Sequence, residues 1–197
     1  MTRILMVRHG QSEWNAQGRW QGQADPPLSD LGRHQAFSAA QRVGSVDAIV
    51  ASDLQRALHT ARIISEQIGV GPVIIEPLLR ERDAGEWSGL TREQIDEKYP
   101  GYLDESKRPD TVETDESVQS RTVAALANVE REYRGGEVLV IAHGGLVYEL
   151  ERQHGLPFER LANLAGRSLV HHGTHVELLE RVILVADEDI TTVPAQI

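Results

Sequence analysis

The apolar positions of this chain fall into short unbroken runs separated by amphipathic stretches, the alternation expected of an α/β protein. Ile4-Leu5-Met6-Val7 reads as a strand buried on both faces, as in a parallel sheet. Asp47–Ala51 is a second such run, Val73-Ile74-Ile75 a short third, and Val138–Ala142 the strongest. The segment Leu169–Asp187 predicts two further strands turning around Glu180-Arg181, and the tail from Glu188 is expected to be poorly ordered. Between the strands the period changes to helical. Ser29-Asp30 opens a helix to about Val43 that buries Ala36, Ala39, Ala40 and Val43. Ser52 with Gln55 fits a capping box and places a helix from about Asp53, with Leu54, Ala57, Leu58, Ala61, Ile64 and Ile68 on its buried face. Thr91 with Gln94 opens another, ending before Tyr99-Pro100-Gly101. Ser117–Glu132 predicts a helix buried through Val118, Val123, Leu126 and Val129, ended by Gly135-Gly136, and a last helix starts near Leu146. Gln11–Asn15 reads as a short helix and Gly18–Pro27 as a loop. From Gly101 to about Glu116 the chain is polar and acidic, with a lid-like composition.

Composition narrows the partners. The chain has 197 residues, enough for one domain with a sizeable core. Its formal net charge of -10 disfavours nucleic acid and anionic membranes. No apolar run approaches the roughly 20 residues that span a bilayer, and no signal peptide is seen. The absence of cysteine excludes disulfides, thiolate metal sites and a cysteine nucleophile, and fits a cytoplasmic location.

The candidate chemistry sits where strands end. The first run stops at Arg8-His9-Gly10 and the fourth at His143-Gly144-Gly145. In an open α/β sheet the C-terminal edge of the strands is where ligands bind. Arg56 falls outside the buried stripe of its helix, in the first turn, where a cation opposes the helix dipole unless a bound anion compensates both. Glu81 follows the third strand, with Asp83 and Glu86 close by; periodicity does not say which carboxylate faces the others. Two histidines, two arginines and a carboxylate suit phosphoryl transfer. Arginines clamp phosphoryl oxygens, a neutral imidazole attacks phosphorus, and a carboxylic acid protonates the leaving alkoxide. His171, His172 and His175 invite a metal, but neighbours on a strand face opposite sides, so no metal site is expected. Trp14, Trp20 and Trp87 read as packing, with Trp20 near enough to Gln21 to line a pocket.

These residues carry a resemblance. Arg8-His9-Gly10, Ser52-Asp53-Leu54-Gln55-Arg56-Ala57, Leu79-Arg80-Glu81 with Gly85–Leu90, and Ala142-His143-Gly144-Gly145 match, in order, the motifs of the histidine phosphatase superfamily, also called phosphoglycerate-mutase-like. The resemblance covers about residues 3 to 150. It implies an α/β fold, a three-layer α/β/α sandwich with a mostly parallel sheet, here one domain over 1–197 with a lid-like insertion at about 91–116. It implies His9 as the nucleophile, passing through a phosphohistidine, and Glu81 as the proton donor. Arg8, Arg56 and His143 would hold the phosphoryl group, with Asn15, Gln21, Gly22 and Gly144 around the substrate. No cofactor is implied. Gln21 stands where mutases of the family carry a small hydroxyl residue, and the chain is short, so it resembles the phosphatase branch. The stretch Trp20–Asp25 with Leu28–Gly32 is similar to bacterial glucosyl-3-phosphoglycerate phosphatases. The expected activity is hydrolysis of a small phosphorylated metabolite, a sugar or glycerate phosphate. A phosphoglycerate mutase and a non-catalytic phosphate sensor are the alternatives, and a homodimer is left open. Thr114-Asp115-Glu116-Ser117 and the C-terminal strands depart from the family pattern.

Overall fold

A computed structural model describes residues 1–190. In chain order it holds β1 (Thr2–Arg8), α1 (Glu13–Ala16), α2 (Asp30–Ala40), β2 (Ala48–Ala51), α3 (Gln55–Ile68), β3 (Ile74–Ile75), α4 (Arg92–Lys98), α5 (Asp115–Glu132), β4 (Glu137–Ala142), α6 (Gly144–Gln153), β5 (Ala165–His171) and β6 (Val176–Ile183). The six strands form one sheet in the order β3-β2-β4-β1-β5-β6. β3, β2, β4 and β1 run parallel, while β5 pairs antiparallel with β1. β1 and β4 are adjacent and in register, Arg8 beside Ala142, so Arg8-His9 and His143 emerge side by side.

Side-chain alternation along the strands builds the layers. Ile4, Met6, Ala48, Val50, Val138 and Val140 pack on one face against α5 and α6, through Val118, Leu126, Val129, Leu146 and Leu150. Val7, Ile49, Ala51, Leu139 and Ile141 face the other way, against Ala39 and Ala40 of α2 and Ala57, Ala61 and Ile64 of α3. The central strands are therefore apolar on both faces, as their unbroken runs require. The fold is the expected α/β sandwich. A third, smaller cluster joins Trp20, Ala84, Trp87, Ile95 and Val112, with Tyr99, Tyr102 and Leu103 packed against it. No helix among the described residues is long and apolar enough to cross a membrane.

Several expected boundaries move. The last hairpin turns at His172–His175, where His172 N–H donates to His175 O (2.9 Å), not at Glu180-Arg181. β5 starts at Ala165 because its partners are Thr2–Val7 of β1, and the polar pair Arg167-Ser168 masks that start. α3 begins two residues late and without the Ser52–Gln55 box. Its Gln55 N–H is satisfied instead by Asp25 Oδ1 (2.6 Å), from a loop distant in sequence. α5 begins at Asp115, capped by Thr114, and Val123 is exposed. Thr122 and Ala125 take the buried positions; the Thr122 hydroxyl is satisfied by Val118 O (2.7 Å), which allows its burial. Of the tail, Asp187–Asp189 forms a 3₁₀ turn whose Asp189 carbonyl accepts from Gln35 Nε2 (2.8 Å), and the remainder lies outside the described residues.

Candidate active site

A cavity of about 80 Å³ opens at the C-terminal edge of the parallel strands, lined by Arg8, His9, Arg56, Gln21, Glu81 and Gly144 among others. β1 delivers Arg8 and His9, and both are buried. Arg8 Nη1 donates to the Leu161 carbonyl (2.7 Å), which fixes the guanidinium without spending a carboxylate on it. His9 is held at both nitrogens. Nδ1 lies 2.6 Å from Gly10 O, and Arg56 Nε donates to Nε2 (3.1 Å). A carbonyl only accepts and a guanidinium only donates, so Nδ1 carries the proton and the Nε2 lone pair faces the cavity. Burial first, then the charges of Arg56 and Arg8, hold the His9 pKa well below its usual value. His9 is thus a neutral imidazole whose Nε2 lone pair accepts from Arg56 Nε.

Arg56, at the second position of α3, is fully buried. The stripe that packs on the sheet does not include it, because it turns toward the strand ends instead. Nη1 and Nη2 donate to the carbonyls of Ala24 and Gly22, each at 2.8 Å. Gly22 has φ of 52°, and a Cβ there would meet the backbone of Ala84, so the carbonyl that receives Arg56 depends on a glycine. Burial lowers the Arg56 pKa to about 10, which leaves it charged at neutral pH.

His143, at the end of β4, is fully buried and edge-on to His9, ring centroids 5.1 Å apart. Burial, then Arg56 and His9, keep its pKa well below the usual value. Neither of its ring nitrogens has a hydrogen-bond partner within the described protein.

The structure distinguishes the three carboxylates. Glu81 lines the cavity; Oε1 accepts from Arg82 N–H (2.7 Å) and Oε2 from Gly145 N–H (3.2 Å). A Cβ at Gly145 would collide with that carboxylate. Asp83 instead caps Gly85 N–H (2.9 Å), and Glu86 accepts from Tyr99 Oη (2.5 Å).

Gln21 lines the cavity, and its Oε1 accepts from Ser12 Oγ (2.6 Å). Gly22 and Gly144 also line it. Asn15 is buried behind the wall, where its side chain closes the capping box of α1 and meets Asn163 Nδ2 (3.4 Å). His143 likewise lies behind the lining, against His9. Arg82, Val112 and Tyr148 line the cavity without having been singled out, as does Gly145, which the fourth-strand motif included without a role. Of the first three only Arg82 carried a local signal, as the neighbour of Glu81. Asn163, which donates to His9 O (2.9 Å), comes from the C-terminal region where the motifs end. Val112 reaches the cavity from the lid-like segment, whereas Tyr102 and Leu103 pack into the third cluster.

Residues 4–179 match the histidine phosphatase superfamily, branch 1. A glucosyl-3-phosphoglycerate phosphatase of Mycobacterium tuberculosis is 40% identical over 163 residues, covering 75% of this chain and 73% of that protein. A metal-independent phosphoserine phosphatase of Arabidopsis thaliana is 34% identical over 157 residues, covering 75% and 66%. The solved structure of a mycobacterial glucosyl-3-phosphoglycerate phosphatase with VO3 superposes with a TM-score of 0.82 at 33% identity, covering 93% of this chain and 99% of that one.

Proposed function

The chain belongs to branch 1 of the histidine phosphatase superfamily and is a phosphomonoesterase of that family; we propose that His9 carries the phosphoryl group through the reaction. The observation that supports this is the arrangement of His9: its proton is pinned on Nδ1 by Gly10, and its Nε2 lone pair sits beside two arginines whose charges are unspent. An entering phosphoryl group replaces the Arg56–His9 contact and takes Arg8 and Arg56 as its counter-charges. Nε2 attacks phosphorus, the P–O bond to the leaving group breaks, and the departing oxygen takes a proton from the Glu81 carboxylic acid. Water then attacks the phosphohistidine, Glu81 takes its proton, and phosphate leaves with Nε2 free again. His143 gains from a phosphoryl oxygen the partner it lacks in the protein. The clamp is preorganised, so little reorganisation accompanies charge development.

The substrate we propose is a small phosphorylated metabolite, a sugar or glycerate phosphate; the names of the relatives give glucosyl-3-phosphoglycerate and phosphoserine. The phosphatase relatives favour hydrolysis over a mutase reaction. Product analysis tests this. 3-Phosphoglycerate or p-nitrophenyl phosphate should yield inorganic phosphate. An isomerised phosphoester in its place would make the protein a mutase, and no turnover of either compound would make it a phosphate-binding protein.

A further inference from the structure

The peptide that joins His9 to Gly10 lies where β1 has ended. His9 N–H still makes a backbone bond to the end of β4, donating to Ala142 O (3.0 Å). The next peptide group is held by side chains. The His9 carbonyl accepts from Asn163 Nδ2 (2.9 Å), and Gly10 N–H donates to the Thr60 hydroxyl (3.1 Å). One peptide plane is thus gripped at both ends, by residues 154 and 50 positions away in the chain.

Both holders are fully buried, and their roles are fixed by their partners. A carbonyl only accepts, so the nitrogen of the Asn163 amide is the atom at His9. Its second proton is left for Asn15 Oδ1 (3.4 Å), which also accepts from Ser12 N–H (3.2 Å). The Thr60 hydroxyl gives its own proton to Arg56 O (2.7 Å), so toward Gly10 it acts as the acceptor.

The chain around Asn163 is committed to the same two residues. Leu161 O receives Arg8 Nη1 (2.7 Å), and Leu164 N–H donates to Arg8 O (3.1 Å). Leu164 has φ of 55°, a left-handed conformation that leucine rarely takes. Its side chain is fully buried in the cluster that holds Val7 and Ile141, which offsets that strain. The turn starts β5 at Ala165 and leaves Asn163 beside His9.

The ring depends on this plane. His9 Nδ1 bonds Gly10 O (2.6 Å), and that bond keeps the proton off Nε2. A tilt of the His9–Gly10 peptide displaces Gly10 and re-aims Nε2. A misaimed nucleophile loses rate at the bond-forming step, whereas affinity for the phosphoryl group resides in the arginines. We propose that Asn163 is a positioning residue for the nucleophile: by holding the His9 carbonyl it aims Nε2, while Arg8 and Arg56 bind the phosphoryl group without its help. This rests on His9 as the nucleophile, and the test keeps the two apart.

Asn163→Leu keeps the side-chain volume and removes the donor, and Asn163→Ala removes both. Each protein is mixed rapidly with saturating p-nitrophenyl [³²P]phosphate and quenched in alkali. The rate constant and the amplitude of protein labelling are read separately, together with the Kd of inorganic phosphate. In both variants the rate constant should fall about tenfold, with the phosphate Kd within about twofold of wild type. Misfolding lowers the amplitude and leaves the rate constant of the folded molecules as it was. Thr122→Val, which removes a different buried hydroxyl bond, on α5, should lower Tm without changing the rate constant. A rate constant near that of wild type in both Asn163 variants, with or without lost amplitude, overturns the positioning role. So does a weakened phosphate Kd with the rate constant kept, which would place the effect of Asn163 on the phosphate through Asn15. A wild-type protein that turns over substrate without becoming labelled overturns the nucleophile, and the role of Asn163 with it.

Discussion

Arg56 and Arg82 line the same cavity, yet their partners differ in kind. Arg56 is held by the carbonyls of Gly22 and Ala24 and by His9. Arg82 is held by the Glu113 carbonyl (2.7 Å) and by the Asp115 carboxylate. A carbonyl orients a guanidinium but leaves its charge unspent, whereas a carboxylate neutralises it. Arg8, bound to Leu161 O, follows Arg56. The side proposed for the phosphoryl group therefore keeps two buried cations with no carboxylate in ion-pair contact among the described residues, where a bound anion is worth most. On the side of Arg82 the charge is partly compensated instead, Arg82 and Arg108 sharing the Asp115 carboxylate.

The largest effect should come from breaking the clamp. Arg56→Ala should lower kcat/KM for p-nitrophenyl phosphate by about 10³-fold, whereas Arg82→Ala, which keeps the backbone N–H that holds Glu81, should cost at most about tenfold. Equal losses would erase the distinction. Glu81→Gln comes next. It should slow an alkyl phosphate by about 10²-fold and p-nitrophenyl phosphate far less, because nitrophenolate leaves without proton help. Equal slowing of both would make Glu81 a positioning residue.

A third effect is on stability. His9 and His143 have folded pKa values depressed by burial. Below about pH 6.5 the unfolded chain binds protons at these residues that the folded chain refuses. The unfolded state then holds more protons, so folding stability falls as the pH drops from about 7 toward the depressed values, and is flat in this respect above that window. Each histidine contributes up to ~1.4 kcal/mol per pH unit. Urea unfolding of the ligand-free protein at pH 5.5, 6.5 and 7.5 should show the fall, and His143→Gln should show it reduced by about one proton. An unreduced slope would mean His143 is protonated in the fold. The smallest effect concerns the 91–116 segment. Tyr102 and Leu103 pack into the third cluster, so alanine at either should cost about 1–2 kcal/mol of stability and leave the ranking of substrates nearly as it was. A changed ranking would return these side chains to the leaving group.

The sheet and the convergence of Arg8, His9 and His143 at its edge were readable from sequence for one reason. Runs such as Ile4–Val7 and Val138–Ala142 are buried on both faces, and the residues that follow them inherit positions at one edge. Periodicity failed where a residue answers to tertiary partners. Arg56 read as outside its helix's buried face because a stripe describes contact with the sheet alone. Glu81 could not be told from Asp83 and Glu86 until backbone N–H groups and Tyr99 claimed each of them. The start of α3 depends on Asp25, thirty residues away, and β5 on its register with β1.

The central claim is that His9 Nε2 forms a bond to phosphorus. Enzyme mixed with ³²P-labelled substrate and quenched within milliseconds in alkali, which preserves a phosphoramidate, should carry label that peptide mapping assigns to His9. His9→Ala should carry none and should turn over on the order of 10⁴-fold more slowly or worse. Label on another residue, or turnover by His9→Ala near the wild-type rate, would contradict the account.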